Sequence, residues 1–290
     1  MTAPFQTSLR LDHPQICSAL FFPRHELRSA PPPEAYDLEV TSADGLASIG
    51  CRIHVSGDSA APIIVFFHGN GETVGDYDEI GSFFTGVGLT IVFATYRGYG
   101  WSSGEPTVTA MLQDSNVVFD AVLQWCAEHS CTGPLLVMGR SLGSVSAIDL
   151  AYRRSDAIKA LIIESGFADS LPLLESLGCP CRDLGITEAE CFNNRGKIAT
   201  IELPTLILHG SRDQIIPVAE AEVLQAESGA RNKQFQVVPG ADHNSLLAVA
   251  GSLYFAVIKR FVDGVTGANT WRQRRKRFKQ EGQGQDSNGK

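Results

Sequence analysis

Two hydrophobic periods alternate along this chain. Short runs that are apolar at almost every position recur at residues 63–67, 89–94, 135–138, 158–163, 205–208 and 235–238. A strand that is apolar on every residue is covered on both faces, as in a parallel sheet. Between the runs lie segments of helical length, at residues 79–86, 108–129, 144–154, 218–227 and 246–262. Strands alternating with helices imply βαβ crossovers and a doubly wound sheet. Ahead of the first run, residues 37–40 and 47–55 alternate apolar with polar and flank Asp44-Gly45, which predicts an antiparallel hairpin. The hairpin and the six parallel strands predict an α/β fold: an eight-stranded, mostly parallel sheet with helices on both faces.

Three segments fall outside this pattern. Residues 1–36 end in a proline-rich stretch around Pro31-Pro32-Pro33 and read as an N-terminal arm. Residues 168–201 break the strand–helix rhythm with helix-sized fragments around Pro172 and Pro180, and are expected to form a short cap insert over the strand ends. Residues 264–290 are polar and low in apolar residues, the composition of a disordered tail. The domain proper is therefore predicted over residues 37–263.

The 290 residues, 43% of them hydrophobic, suit one large α/β domain. A net charge of −8 argues against nucleic acid as a partner of the body. The contrary stretch is Trp271-Arg-Gln-Arg-Arg-Lys-Arg-Phe-Lys279, where aromatic and basic residues interleave and permit weak contact with an anionic membrane surface. No run reaches the ~18 apolar residues of a membrane span, and the N-terminus lacks the apolar core of a signal peptide, so a cytoplasmic location is expected. Seven cysteines make an odd number in a chain too large to need disulfide staples. Cys179-Pro-Cys181 with Cys191 fits no standard zinc spacing, and neither metal nor cofactor is expected.

Two matches to G-x-S-x-G carry the candidate chemistry, Gly100-Trp-Ser102-Ser-Gly104 and Gly139-Arg-Ser141-Leu-Gly143. Structural context separates them. A buried run, residues 135–138, leads straight into the second match, and a proline-free helix follows it. That is the strand–turn–helix elbow which lifts a serine hydroxyl above a sheet. Ser102 instead follows a glycine-rich loop and precedes Glu105-Pro106, so its match reads as a turn.

A nucleophilic serine needs a base, and the base needs an orienting acid. His243 follows the run at 235–238, and Asp213 follows the run at 205–208. Both would stand with Ser141 at the carboxyl edge of the sheet, where open α/β sheets place their sites. Glu164 and Asp169 are weaker acid candidates. Asp242 adjoins His243 too closely, and His68 and His209 read as structural. After the run at 63–67, His68-Gly69-Asn70 offers a backbone N–H, that of Asn70, to pair with Leu142 N–H as an oxyanion hole.

Across about residues 37–262 the chain resembles the α/β-hydrolase family, on HGNGE, YRGYGWSSGEP, GRSLGS, ESGF, HGSRDQIIP and PGADHN. It is most similar to the serine-aminopeptidase-like group, which also contains protein depalmitoylases. The resemblance implies a Ser141–His243–Asp213 triad with oxyanion donors from Asn70 and Leu142, and makes YRGYG a loop motif. The insert is short beside the helical lids of dedicated lipases, and Cys17 stands alone where eukaryotic depalmitoylases carry a cysteine cluster. The expected activity is hydrolysis of carboxylic esters or thioesters, in small molecules or acylated proteins, through an acyl-enzyme. Acyltransferase and peptidase chemistry on the same triad, and a non-catalytic binding protein of this fold, remain the alternatives.

Overall fold

Branched and aromatic side chains at every position of residues 63–67 leave no polar face for water, so this strand must lie between two layers. A computed structural model describes residues 9–267 and places the strand near the middle of one eight-stranded sheet. The hairpin consists of β1 (Ala35–Thr41) and β2 (Ser48–His54), antiparallel from Ala35↔His54 to Thr41↔Ser48. After it come β3 (Ile63–Phe67), β4 (Thr90–Ala94), β5 (Leu135–Arg140), β6 (Leu161–Glu164), β7 (Thr205–Gly210) and β8 (Lys233–Val238). The order across the sheet is β1-β2-β4-β3-β5-β6-β7-β8. β2 meets β4 antiparallel, and every pairing from β4 to β8 is parallel. This is the sheet that the hydrophobic pattern predicts.

The helices are α1 (Pro14–Leu20), α2 (Asp78–Gly86), α3 (Val108–Glu128), α4 (Gly143–Arg153), α5 (Leu171–Ser176), α6 (Asn194–Thr200), α7 (Val218–Glu227), α8 (Leu246–Ala250) and α9 (Ser252–Thr266). Ile63, Val65 and Phe67 of β3 point to one core, shared with α1, α3, α4 and α7. Ile64 and Phe66 point to the other, closed by α2 and α9. α4 runs beneath the sheet centre, with Gly143 through Ala151 all buried.

Several local expectations need correction. The predicted helix over 246–262 is two helices: Gly251 at φ 53°, ψ −132°, a conformation open only to glycine, breaks it. α9 then runs on past Val262 to Thr266. The run at 235–238 belongs to an edge strand whose exposure alternates, so it is covered on one face rather than both. The run at 158–163 pairs as a strand only from Leu161. The arm brings Leu11, Ile16 and Leu20 into the main core.

The insert is packed into that core too, through Leu174, Cys181, Phe192 and Ile198. Carboxylates pin its start. Glu220 accepts the N–H groups of Ala168 and Asp169, and Glu188 accepts those of Ser170 and Leu171. The basic stretch 271–279 and the tail beyond Gly267 lie outside the described residues. Among the described residues all seven cysteines are free thiols, and no group of three or more His, Cys, Asp or Glu is arranged to hold a metal. No described helix is long and apolar enough to cross a membrane.

Candidate active site

Ser141 sits between β5 and α4 with φ at +52°, a strained left-handed conformation for a residue with a Cβ. Its neighbours make the turn feasible. A Cβ at Gly139 would overlap the Gly143 carbonyl, and a Cβ at Gly143 would overlap the carbonyl of Phe67 on β3. Ser141 N–H donates to Glu164 O at 2.9 Å, and Ser144 returns its N–H and its hydroxyl to Ser141 O at 3.0 and 2.6 Å. The tight turn is held from both sides, and the serine side chain is left to point off the carboxyl edge of the sheet.

Two further loops on that edge complete the constellation. His243, in the loop after β8, places Nε2 2.9 Å from Ser141 Oγ and Nδ1 2.7 Å from Asp213 Oδ2. With the neutral ring protonated at Nδ1, that N–H donates to Asp213, and Nε2 accepts the serine hydroxyl proton. Asp213, in the loop after β7, accepts the N–H groups of Ile215 and Ile216 on its other oxygen, at 3.0 and 2.8 Å. Burial pushes the Asp213 carboxyl up, but the His209 ring 3.4 Å away and the hydrogen bonds from His243 and Ile216 N–H outweigh it and hold the group well below the usual carboxylate range. Asp213 is therefore ionised at neutral pH. All three side chains are nearly enclosed, with residue exposures of 8% for Ser141 and 7% for both His243 and Asp213.

The other candidates are engaged elsewhere. Glu164 accepts the Tyr254 hydroxyl at 2.6 Å and faces Arg140. Asp169 forks onto Arg195. Asp242 caps its own turn through Asn244 and Ser245 N–H. His209 donates from Nε2 to Ile216 O at 2.8 Å, which shapes the Asp213 loop. His68 donates from Nδ1 to Gly69 O and accepts the Thr95 hydroxyl at Nε2. Ser102, in the other motif, accepts Gly50 N–H at 2.9 Å and stitches its loop to β2. Arg97 pins the same loop by a two-pronged bond to Asp114 and a third to Asp44.

Asn70 lies in the loop after β3 and Leu142 directly follows Ser141. Leu142 is the N-cap of α4, so its N–H shares the positive end of a helix. Among the described residues neither N–H meets a protein acceptor.

A residue missed by sequence reasoning joins these parts. Arg140, the spacer in Gly139-Arg-Ser141, donates to His243 O at 2.8 Å, to Asn244 Oδ1 at 3.1 Å and to Glu72 Oε1. Its Nε lies 3.3 Å from Glu164. Glu72 in turn accepts Gly69 N–H at 2.6 Å and the Tyr77 hydroxyl at 2.7 Å. One buried guanidinium thus links the end of β5, the loop after β8 and the loop after β3. Burial works against its charge, and the Glu72 and Glu164 carboxylates outweigh that and keep it protonated. Beside it lies a cavity of about 270 Å³ floored by Phe66, Phe84 and Phe93.

The family model described as serine aminopeptidase, S33, matches residues 58–174 and 189–247, more than half of the chain. The chain belongs to this family. It is an α/β-hydrolase enzyme by that membership, and its relatives include human alpha/beta hydrolase domain-containing protein 17B. That protein is 31% identical over 223 residues, 74% of this chain and 70% of the relative. Protein bem46 of Schizosaccharomyces pombe is 27% identical over 254 residues, 83% of this chain and 82% of that one. Among solved structures, the Pyrococcus furiosus esterase Pf2001 superposes with a TM-score of 0.68 at 17% identity, covering 84% of this chain and 99% of the esterase. A monoacylglycerol lipase from Paleococcus ferrophilus gives 0.56 at 18% identity, covering 79% and 98%. At those identities the superpositions establish the α/β-hydrolase fold.

Proposed function

We propose that this member of the family cleaves carboxylic esters or thioesters through an acyl-enzyme on Ser141. The observation that carries the reading is the unbroken hydrogen-bonded line from Ser141 Oγ through His243 to Asp213, at 2.9 and 2.7 Å, beside the Asn70 and Leu142 N–H groups, which meet no acceptor among the described residues.

In this mechanism Ser141 Oγ attacks the substrate carbonyl while His243 Nε2 takes the hydroxyl proton. The carbonyl oxygen becomes an oxyanion held by Asn70 and Leu142 N–H, and each such donor is worth about 10²–10³ in turnover. Asp213 stabilises the imidazolium and fixes the ring's tautomer. Collapse of the tetrahedral intermediate expels an alkoxide or thiolate, which leaves with the proton from Nε2. Water then attacks the acyl-enzyme and gives its proton to Nε2. A second collapse releases the carboxylic acid as that proton returns to Ser141 Oγ.

The named esterase and lipase likenesses agree with ester chemistry, and the net charge and lack of long apolar runs agree with a cytoplasmic setting. A small-molecule or protein-borne acyl group fits as substrate.

The test is hydrolysis of p-nitrophenyl butyrate and a butyryl thioester, with an aminoacyl-naphthylamide run in parallel. Wild type and Ser102→Ala are expected to turn over the first two, and Ser141→Ala neither. Loss of activity in Ser102→Ala alone would overturn the assignment. Preferential cleavage of the naphthylamide would replace esters by peptides.

A further inference from the structure

The Asn70 side chain takes no part in the chemistry above, yet it is tied at every polar atom. Its Nδ2 donates to Leu20 O at 2.5 Å. Its Oδ1 accepts the Tyr99 hydroxyl at 2.6 Å and Phe22 N–H at 3.0 Å. Phe22 N–H is shared with the Tyr99 oxygen, also at 3.0 Å, so the three groups close a triangle. Tyr99 is fully buried, with its ring against those of His68 and Tyr96. The arm then continues along the same rim. Gly100 and the arm exchange backbone bonds, Glu26 N–H to Gly100 O and Gly100 N–H to Arg24 O, at 3.0 and 2.8 Å. Thr73, just beyond the oxyanion loop, donates to Glu26 and accepts from Arg24.

We propose that the arm from Leu20 to Glu26 is a working part of the site, and that with Tyr99 it holds Asn70 so that its backbone N–H stays aimed at the oxyanion. The proposal rests on the serine-hydrolase reading. An oxyanion donor acts only if it is already in place when charge develops. A loop residue flanked by Gly69 and Gly71 has little stiffness of its own. Fixing its side chain at three points supplies that stiffness through the Cα it shares with the N–H. The residue type follows: asparagine carries one donor and one acceptor on a short stem, matched to a carbonyl on one side and an N–H on the other. Aspartate has no proton for Leu20 O, and alanine reaches neither partner. Asn70 and Tyr99 are thus positioning residues, and YRGYG has a role as the loop that delivers the Tyr99 hydroxyl.

Phe22→Pro removes the backbone N–H together with the ring. The Phe22 ring is 53% exposed. Phe21 before it is extended, at φ −95°, ψ 132°, as a residue preceding proline prefers. Phe22→Ala is the comparator for loss of the ring. With p-nitrophenyl butyrate, Phe22→Pro is expected to show a kcat about tenfold below that of Phe22→Ala, with KM within about twofold, because the lost interaction belongs to the transition state. Asn70→Asp and Tyr99→Phe should each lower kcat in the same way, and Tyr99→Phe should cost less in the Asn70→Asp background than in wild type. These two variants carry the test if Phe22→Pro does not fold. Equal kcat in Phe22→Pro and Phe22→Ala, or full kcat in folded Asn70→Asp, would overturn the proposal. A wild type without hydrolysis, or an active Ser141→Ala, would instead sink the reading beneath it.

Discussion

Arg140 occupies the position that G-x-S-x-G leaves unspecified, and the structure gives it three acceptors on two loops and an ion pair with Glu164 at the end of β6. A planar guanidinium suits this because its donors diverge in one fixed plane, whereas an ammonium offers a single point. Arg140→Lys keeps the charge between Glu72 and Glu164 but cannot span from Glu72 to His243 O. The expected result is a kcat lowered about tenfold with KM nearly unchanged, since small displacements of reacting groups are costly to rate. Steady-state kinetics on a folded variant checks this, and an undiminished kcat would show that the histidine loop holds itself. Ser141, Asp213 and His243 were legible in the sequence because each follows an apolar run and so had to lie at a strand end. Arg140 was not, because its partners lie 68 and 103 residues away and no local pattern marks them. The Asn70 side chain was hidden for the same reason, its partners being in an arm that composition marked only as proline-rich.

The elements best read from sequence are the central strands, where burial on both faces forces an uninterrupted apolar run. β2 shows the limit of that logic. Ser48-Ile-Gly-Cys-Arg-Ile-His54 reads as alternating, with a polar face for solvent, yet every residue after Ser48 is buried. Arg52 is fully enclosed because Asp37 and Asp78 pair with it at 2.7 Å and the Trp101 ring lies over it. Gly50 leaves room for that ring. Polar residues were therefore interior here for pairing reasons that alternation cannot reveal. On the same strand, burial pushes the Cys51 thiol up to about 12. In the unfolded chain a thiol ionises near ~8.5, so the folded state keeps a proton that the unfolded state loses. That contribution to stability is complete below about 8.5 and is lost as pH rises toward 12. Between pH 8 and 10.5, wild type should lose about 2–3 kcal/mol more stability than Cys51→Ala in urea unfolding. Parallel loss in both proteins would mean that the thiol is not held protonated.

At the scale of the molecule, the parallel order places the loops after β3, β5, β7 and β8 on one edge, and those loops carry Asn70, Ser141, Asp213 and His243. Strand order was therefore enough to gather residues far apart in the chain. The fold alone would serve a binding protein equally well. What separates an enzyme's site from an inert copy is the strained serine, a histidine within reach of it and an ionised acid behind that histidine. A fluorophosphonate reacts with a serine only when that arrangement works. Treating the native protein with such a probe, followed by mass spectrometry of the tryptic peptide from Ser141 to Arg153, measures it directly. The account predicts one adduct, on Ser141, absent in Ser141→Ala and strongly slowed in His243→Ala. A folded wild type that stays unlabelled, or an adduct on Ser102, would contradict it.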